Sequence, residues 1–253
     1  MTKSKTALVT GANRGLGRDM AINLAKKGLN VVLTYNTNKG EADSVVEEIK
    51  LLGQKAVAFQ LNVSEPETFD NFIGKVTTYL RENEGSPNFD FLINNAGFVH
   101  QSSLETTTAQ QLDDMYNVHF RAPFFLTQKV LPFLNENGGI VNISSGLARF
   151  ATPGYGAYGS MKKAIEQFTV YLAKELGNRK IRANVVAPGP IETDFQGGAV
   201  RDNPELNKIL ASHSALGRVG MPDDIGGVVA FLCTDGAKWV NAQRIEVSGG
   251  INI

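Results

Sequence analysis

Tyr158 and Lys162 stand four apart in "YGAYGSMKKA". On a helix that spacing places them on one face. An ammonium beside a phenol favours the phenolate and lowers a pKa that is ordinarily near 10. Such a tyrosine can give a proton to, or take one from, an alcohol oxygen. A second Tyr-x-x-x-Lys, Tyr35 to Lys39, lies among turn-forming residues and reads as a coincidence. Upstream of Tyr158, Ser145 closes "GIVNISS". A hydroxyl at the C-terminal end of a parallel strand faces a ligand crevice and can donate to a carbonyl where oxyanion charge develops. The plainer reading of Ser144 and Ser145 is a strand-end turn.

A second chemical signal sits near the start. "TGANRGLG" places Gly11, Gly15 and Gly17 between a strand-like run and a helical one. Glycines there permit a tight turn and close approach to a pyrophosphate, which the next helix meets with its free N–H groups. A glycine cluster also suits an ordinary turn; the strand–turn–helix context favours a nucleotide. An acid that would hold a ribose 2′-hydroxyl is expected about 20 residues further on. That place reads Tyr35, Asn36, Thr37, Asn38, Lys39, with no acid before Glu41. Arg14, inside the glycine turn, could instead hold a 2′-phosphate. The pairing favours NADP(H) over NAD(H), against the alternative that Arg14 and Lys39 are solvated charges.

These groups need elements to hold them. β-rich runs occur at 6–10, 30–35, 56–61, 89–94, 139–144, 181–187 and 244–248. Several are nearly continuous apolar stretches, as in strands buried on both faces. Helical patterns alternate with them, among them 15–27, 41–52, 65–80, an unbroken 109–134, 155–176 and 222–234. Strand alternating with helix predicts an α/β fold: a doubly wound parallel sheet with helices on both faces. No linker or repeat divides the chain, so residues 1–253 are expected to form a single domain. The least patterned stretch, 188–203, is rich in proline and glycine and reads as a mobile loop beside the crevice.

The 253 residues carry 25 basic and 25 acidic side chains, which argues against nucleic acid or a membrane surface as partner. One cysteine rules out an internal disulfide framework and fits a reducing compartment. No signal-peptide pattern or spanning run is seen, so a cytoplasmic protein is expected. No metal is expected.

In order and spacing, "TGANRGLG", "NNAG" (94–97), "NISS" (142–145), "YGSMK" (158–162), "PGPIET" (188–193) and "GRVGMPDDIGGVVAFL" resemble the short-chain dehydrogenase/reductase family over nearly the whole chain, with a general likeness to its 3-oxoacyl-carrier-protein reductases. The resemblance implies a Rossmann-like fold with a seven-stranded sheet and a homotetramer. It implies hydride transfer between a nicotinamide and a carbonyl or alcohol. Tyr158 would be the general acid/base. Lys162 would hold the nicotinamide ribose and lower the tyrosine pKa. Ser145 would polarise the carbonyl. Gly11, Asn13, Arg14, Gly15, Leu16, Tyr35, Asn36, Asn62, Val63, Asn95, Ala96 and Gly97 would line the cofactor's nucleotide side, and Pro188, Gly189, Ile191 and Thr193 its nicotinamide side. Phe150, Tyr155, Phe195 and the 188–210 loop would face a small-molecule ketone or 3-oxo ester or thioester.

Two positions depart from the family pattern. Asn62 stands where an aspartate is usual; its amide oxygen can still accept. His119, in "VHFRAPFF", stands where the family usually has an asparagine that helps a water connect the lysine to solvent. Imidazole both donates and accepts, so His119 could serve that relay. Alternatively backbone groups carry the relay, or it is impaired. An NAD-linked alcohol dehydrogenase needs the same residues as a reductase. A non-catalytic NADP(H)-binding sensor would not need Ser145, Tyr158 and Lys162 together.

Overall fold

The computed structural model describes residues 4–253. Seven strands form one parallel sheet in the order β3-β2-β1-β4-β5-β6-β7. They are β1 (Thr6–Val9), β2 (Asn30–Tyr35), β3 (Ala56–Gln60), β4 (Phe89–Asn94), β5 (Leu134–Ile143), β6 (Arg182–Pro188) and β7 (Arg244–Val247). The order reverses between β1 and β4, which opens a crevice at the C-terminal strand ends.

Alternation within each strand serves two cores. Ala7, Val9, Val31, Leu33, Phe91 and Ile93 face α1 (Gly15–Lys26), α2 (Lys39–Leu51) and α9 (Asp223–Leu232). Leu8, Val32, Leu92 and Ile140 face α3 (Phe69–Glu84), α5 (Ala122–Val130) and α6 (Gly156–Glu175). Layers on both faces leave β1, β2 and β6 no wet side, hence their continuous apolar runs, while the edge strands β3 and β7 stay half-exposed. Among the described residues no helix is long and apolar enough to cross a membrane.

Three expectations change. The stretch 109–134 is not one helix: α4 (Ala109–Tyr116) passes into a π-turn at Asn117–Arg121 before α5. A π-turn inserts an extra residue into the helical ladder and often marks a functional site; this one carries His119. β5 begins at Leu134 rather than Gly139, with Asn137 left-handed (φ 61) and the register shifted between Phe89 and Phe91. The 188–210 stretch is not irregular throughout. It forms α7 (Ala199–Asp202) and α8 (Pro204–Ser212). The Asn203 side chain caps α8, accepting from Glu205 N at 3.1 Å and Leu206 N at 3.0 Å, with Pro204 in the first turn.

Candidate active site

The glycine turn joins β1 to α1. Gly11 (φ 63) and Gly15 (φ 54) adopt left-handed conformations that other residues rarely take. A Cβ on Gly17 would fall on the Gly11 carbonyl and the Asn95 amide, so backbone here packs too closely for any side chain. The "NNAG" segment braces the turn from β4. Thr10 Oγ1 accepts from Asn95 N and Ala96 N, both at 3.0 Å, and Asn95 Nδ2 donates to Thr10 O at 2.9 Å and Gly11 O at 3.0 Å. α1 has no acidic residue in its first turn and no side-chain cap, so its N-terminal N–H groups face outward, ready for an anion.

A cavity of about 1030 Å³ runs from this turn past the ends of β4, β5 and β6. It brings together every anticipated site residue except Tyr35. The Tyr35 ring is instead buried in the core with α1 and α2. Lys39 opens α2 and pairs with Asp43 at 2.6 Å, so the Tyr35–Lys39 spacing is indeed not a helical pair. Asn62 lines the cavity, but its oxygen already accepts from Ser64 N at 3.1 Å and Ser64 Oγ at 2.6 Å. Asn13 donates to Glu41 at 2.6 Å. Arg14 is exposed on the cavity wall beside Asn36, Thr37 and Asn38.

Tyr158, Lys162 and Ser145 converge where β5 meets α6. Tyr158 and Lys162 share the buried stripe of α6, and Lys162 Nζ lies 5.5 Å from the Tyr158 ring centroid. The ammonium donates to Ile143 O at 2.8 Å. Ser145 follows β5 and caps a short turn, its Oγ accepting from Leu147 N at 3.2 Å. The expected lowering of the tyrosine pKa is reversed. Burial pushes the phenol above its ordinary value, with the neighbouring Ser145 hydroxyl acting the other way. Burial also pushes Lys162 down to about 7, which weakens the charge meant to stabilise a phenolate. The phenol therefore rests protonated at neutral pH, as a proton donor should.

His119 is 2 % exposed and stands edge-on to Tyr158, ring centroids 5.0 Å apart at 88°. Its Nε2 lies 2.6 Å from the Phe98 carbonyl. A carbonyl only accepts, so Nε2 carries the proton and Nδ1 offers a lone pair. Burial, then the nearby Lys162, hold the pKa well below 6.5, so the ring is neutral. Nδ1 is buried with no partner among the described residues. A Cβ on Gly97 would sit 2.8 Å from His119 Cε1, so the histidine fits only beside a glycine.

Other cavity residues escaped the sequence reading. Phe98 and Gln101 follow "NNAG" with no motif of their own. His213 comes from the end of α8, beyond the 188–210 stretch expected to face the substrate, whereas Leu206 and Leu210 on α8 lie within it. Ile251 and Asn252 arrive from the chain end through the Ser214–Ile251 bridge and the Asn252 N to His213 O bond at 3.0 Å, which no local pattern announces.

Residues 11–252 match a family described as enoyl-(acyl carrier protein) reductase. The chain is 37% identical over 253 residues to the 3-oxoacyl-[acyl-carrier-protein] reductase FabG of Staphylococcus aureus strain Mu50, covering 99% of each. It belongs to the short-chain dehydrogenase/reductase family. Among solved structures, the reductase LugOII, which catalyses keto-reduction at C1 in lugdunomycin biosynthesis, is 38% identical with TM-score 0.94 and full coverage of both chains. The angucycline C-6 ketoreductase LanV with bound NADP is 37% identical with TM-score 0.93, over 98% of this chain and 95% of that one. Like other members of this family, the protein is an oxidoreductase acting on carbonyl and hydroxyl groups.

Proposed function

We propose that the protein is an NADPH-dependent reductase of a ketone or 3-oxo ester or thioester. One observation carries the reading: Ser145, Tyr158 and Lys162 line the same cavity as the glycine turn and Arg14. The residues present fit a dinucleotide, through the outward N–H groups of α1, the side-chain-free approach at Gly17 and the unshielded Arg14. Bound there, NADPH supplies the hydride. Ser145 donates to the substrate oxygen as negative charge builds, Tyr158 delivers its proton to that oxygen, and Lys162 steadies the phenolate left behind. Phe98, Phe150, Tyr155 and Phe195 line the cavity, and this aromatic lining favours a ketone on or beside an aromatic ring. The ketoreductases similar to this chain support that choice.

The test is NADPH oxidation with a panel of bicyclic aromatic ketones, 3-oxo esters and 3-oxoacyl thioesters. Turnover with at least one class is expected. Tight NADPH binding with no turnover across the panel would favour a cofactor sensor instead.

Cofactor choice has its own test. Arg14→Ala should weaken NADPH binding about 10- to 100-fold, the loss of a charge-assisted phosphate contact, and change NADH binding little. Equal weakening of both cofactors would reject a contact to the 2′-phosphate.

His119 fits a relay role through Nδ1, accepting from a proton carrier on the path between Lys162 and solvent. His119→Phe keeps an aromatic ring but removes both the Nδ1 acceptor and the Nε2 donor to Phe98; it should lower turnover about tenfold and leave NADPH affinity unchanged, whereas His119→Asn, which keeps a donor and an acceptor, should restore most of the rate. Full turnover in His119→Phe would end the relay role.

A further inference from the structure

Glu166 lies on the α6 face that carries Tyr158 and Lys162, one turn beyond the lysine. Its side chain is 7% exposed, and both carboxylate oxygens are engaged. Oε1 accepts from the Ser144 hydroxyl at 2.8 Å and from Arg244 Nε at 2.6 Å. Oε2 accepts from Lys163 Nζ at 3.0 Å. Arg244 reaches in from β7. Its NH1 donates to Glu246 Oε2 at 2.9 Å, and Arg149 NH1 donates to the same oxygen at 2.9 Å. Its NH2 reaches the Ser145 carbonyl at 3.4 Å. Charges thus alternate from Lys163 through Glu166, Arg244 and Glu246 to Arg149, from α6 across β7 to the turn after Ser145.

Withdrawing ions from water is costly, and apolar side chains of equal volume often pack at least as stably. Stability alone does not account for this chain of charges. Its geometry does. Two of its hydrogen bonds end just past β5, at the Ser144 hydroxyl and the Ser145 carbonyl, and a third holds Arg149 beyond them. The Ser144 hydroxyl has one proton, with Glu166 at 2.8 Å and the Lys162 carbonyl at 3.2 Å, so it stitches β5 to α6 beside Lys162. Neither Glu166 nor Arg244 lines the cavity. Their influence on the chemistry must pass through the residues they hold.

We infer that Glu166 and Arg244 are positioning residues for the reduction. They set the Ser145 hydroxyl against the Tyr158 phenol by gripping the strand tip on one side and α6 on the other. This rests on the reading of Ser145 and Tyr158 as the reacting pair. A misplacement of about 1 Å at a reacting group can cost roughly 100-fold in rate, so a partial loosening should be visible in kcat.

The experiment compares Glu166→Gln, Ser144→Ala and Glu166→Gln in a Ser145→Ala background. Glu166→Gln should lower kcat about tenfold and leave the KM for NADPH within about twofold. The effect should vanish where Ser145 is already alanine, because nothing remains to be positioned. Equal losses with and without the Ser145 hydroxyl would overturn the inference and mark the network as purely structural. Crystal structures of wild type and Glu166→Gln give a readout free of turnover: the Ser145 Oγ to Tyr158 Oη separation should change while the sheet superposes. An unmoved Ser145 overturns the inference whatever the activity. If Glu166→Gln does not fold, Ser144→Ala, which removes one hydroxyl, carries the same two measurements. A wild type inactive on every carbonyl would sink the proposed reduction and still leave the crystallographic comparison to decide this point.

Discussion

Tyr158→Phe should remove turnover, with kcat lower by about 10³-fold, and leave NADPH affinity within about twofold of wild type. The substitution deletes one oxygen. The ring stays wedged between His119, 5.0 Å away, and Phe195, 6.3 Å away, so the fold and cavity wall should survive. What disappears is the phenol proton that the cavity holds beside Ser145. Burial keeps that proton on the phenol at neutral pH, because the charged form is the one penalised in a dry site. Loss of a positioned general acid typically costs 10²- to 10⁴-fold, and His119 cannot replace it: it is neutral and its Nε2 proton is committed to Phe98, while the Lys162 ammonium donates to the Ile143 carbonyl. Steady-state rates with the best ketone, alongside NADPH titration by fluorescence, give the answer. Turnover above a tenth of wild type would show that another group delivers the proton.

The parts of the fold legible in the sequence were those with a strong period. All seven strands overlap their expected runs, most clearly β1, β2 and β6, which are buried on both faces and so largely apolar. What escaped depends on local backbone events that leave little trace in side-chain type. The π-turn at Asn117–Arg121 keeps helical dihedrals on both sides, so its sequence reads as unbroken helix. The early start of β5 rests on Asn137 in a left-handed conformation, which few positions outside glycine adopt. The 188–203 stretch reads as irregular because its prolines and glycines hide the short α7, and the Asn203 cap that starts α8 closes it.

The candidate site was more legible than its environment. Spacing alone joined Tyr158 to Lys162, and strand-end position brought Ser145 to them. Tyr35 was misplaced for a physical reason: the last residue of a buried strand alternates inward, and its ring met the α1–α2 core instead of the cavity. The direction of the phenol pKa also failed, because spacing reveals a charge nearby but not how much water has been excluded from it. Glu166 could not be found from sequence, since its partners lie on β5 and β7 and meet it only in the folded sheet.

The same burial makes Lys162 the site of the second large effect. Lys162→Met keeps the length of the side chain and deletes the ammonium. Turnover should fall about 10²- to 10³-fold, since a preorganised charge beside the developing phenolate is lost. Stability should move the other way, with a pH signature. Folding lowers the lysine pKa from 10.5 to about 7, so between these values the unfolded chain holds a proton that the folded chain does not. Wild-type stability therefore rises with pH across that window; the penalty for burying the charge is complete below about 7 and relieved toward 10.5. Methionine has no proton to lose, so the variant should be more stable than wild type at pH 6, by on the order of a few kcal/mol, and the gap should close by about pH 10. Urea unfolding of both proteins without cofactor, at pH 6, 8 and 10, measures this directly. A gap that stays constant with pH would mean that Lys162 keeps its full charge in the folded protein through the Ile143 carbonyl. The ammonium would then be available to the phenol across the whole working range, and the rate loss in Lys162→Met would be independent of pH.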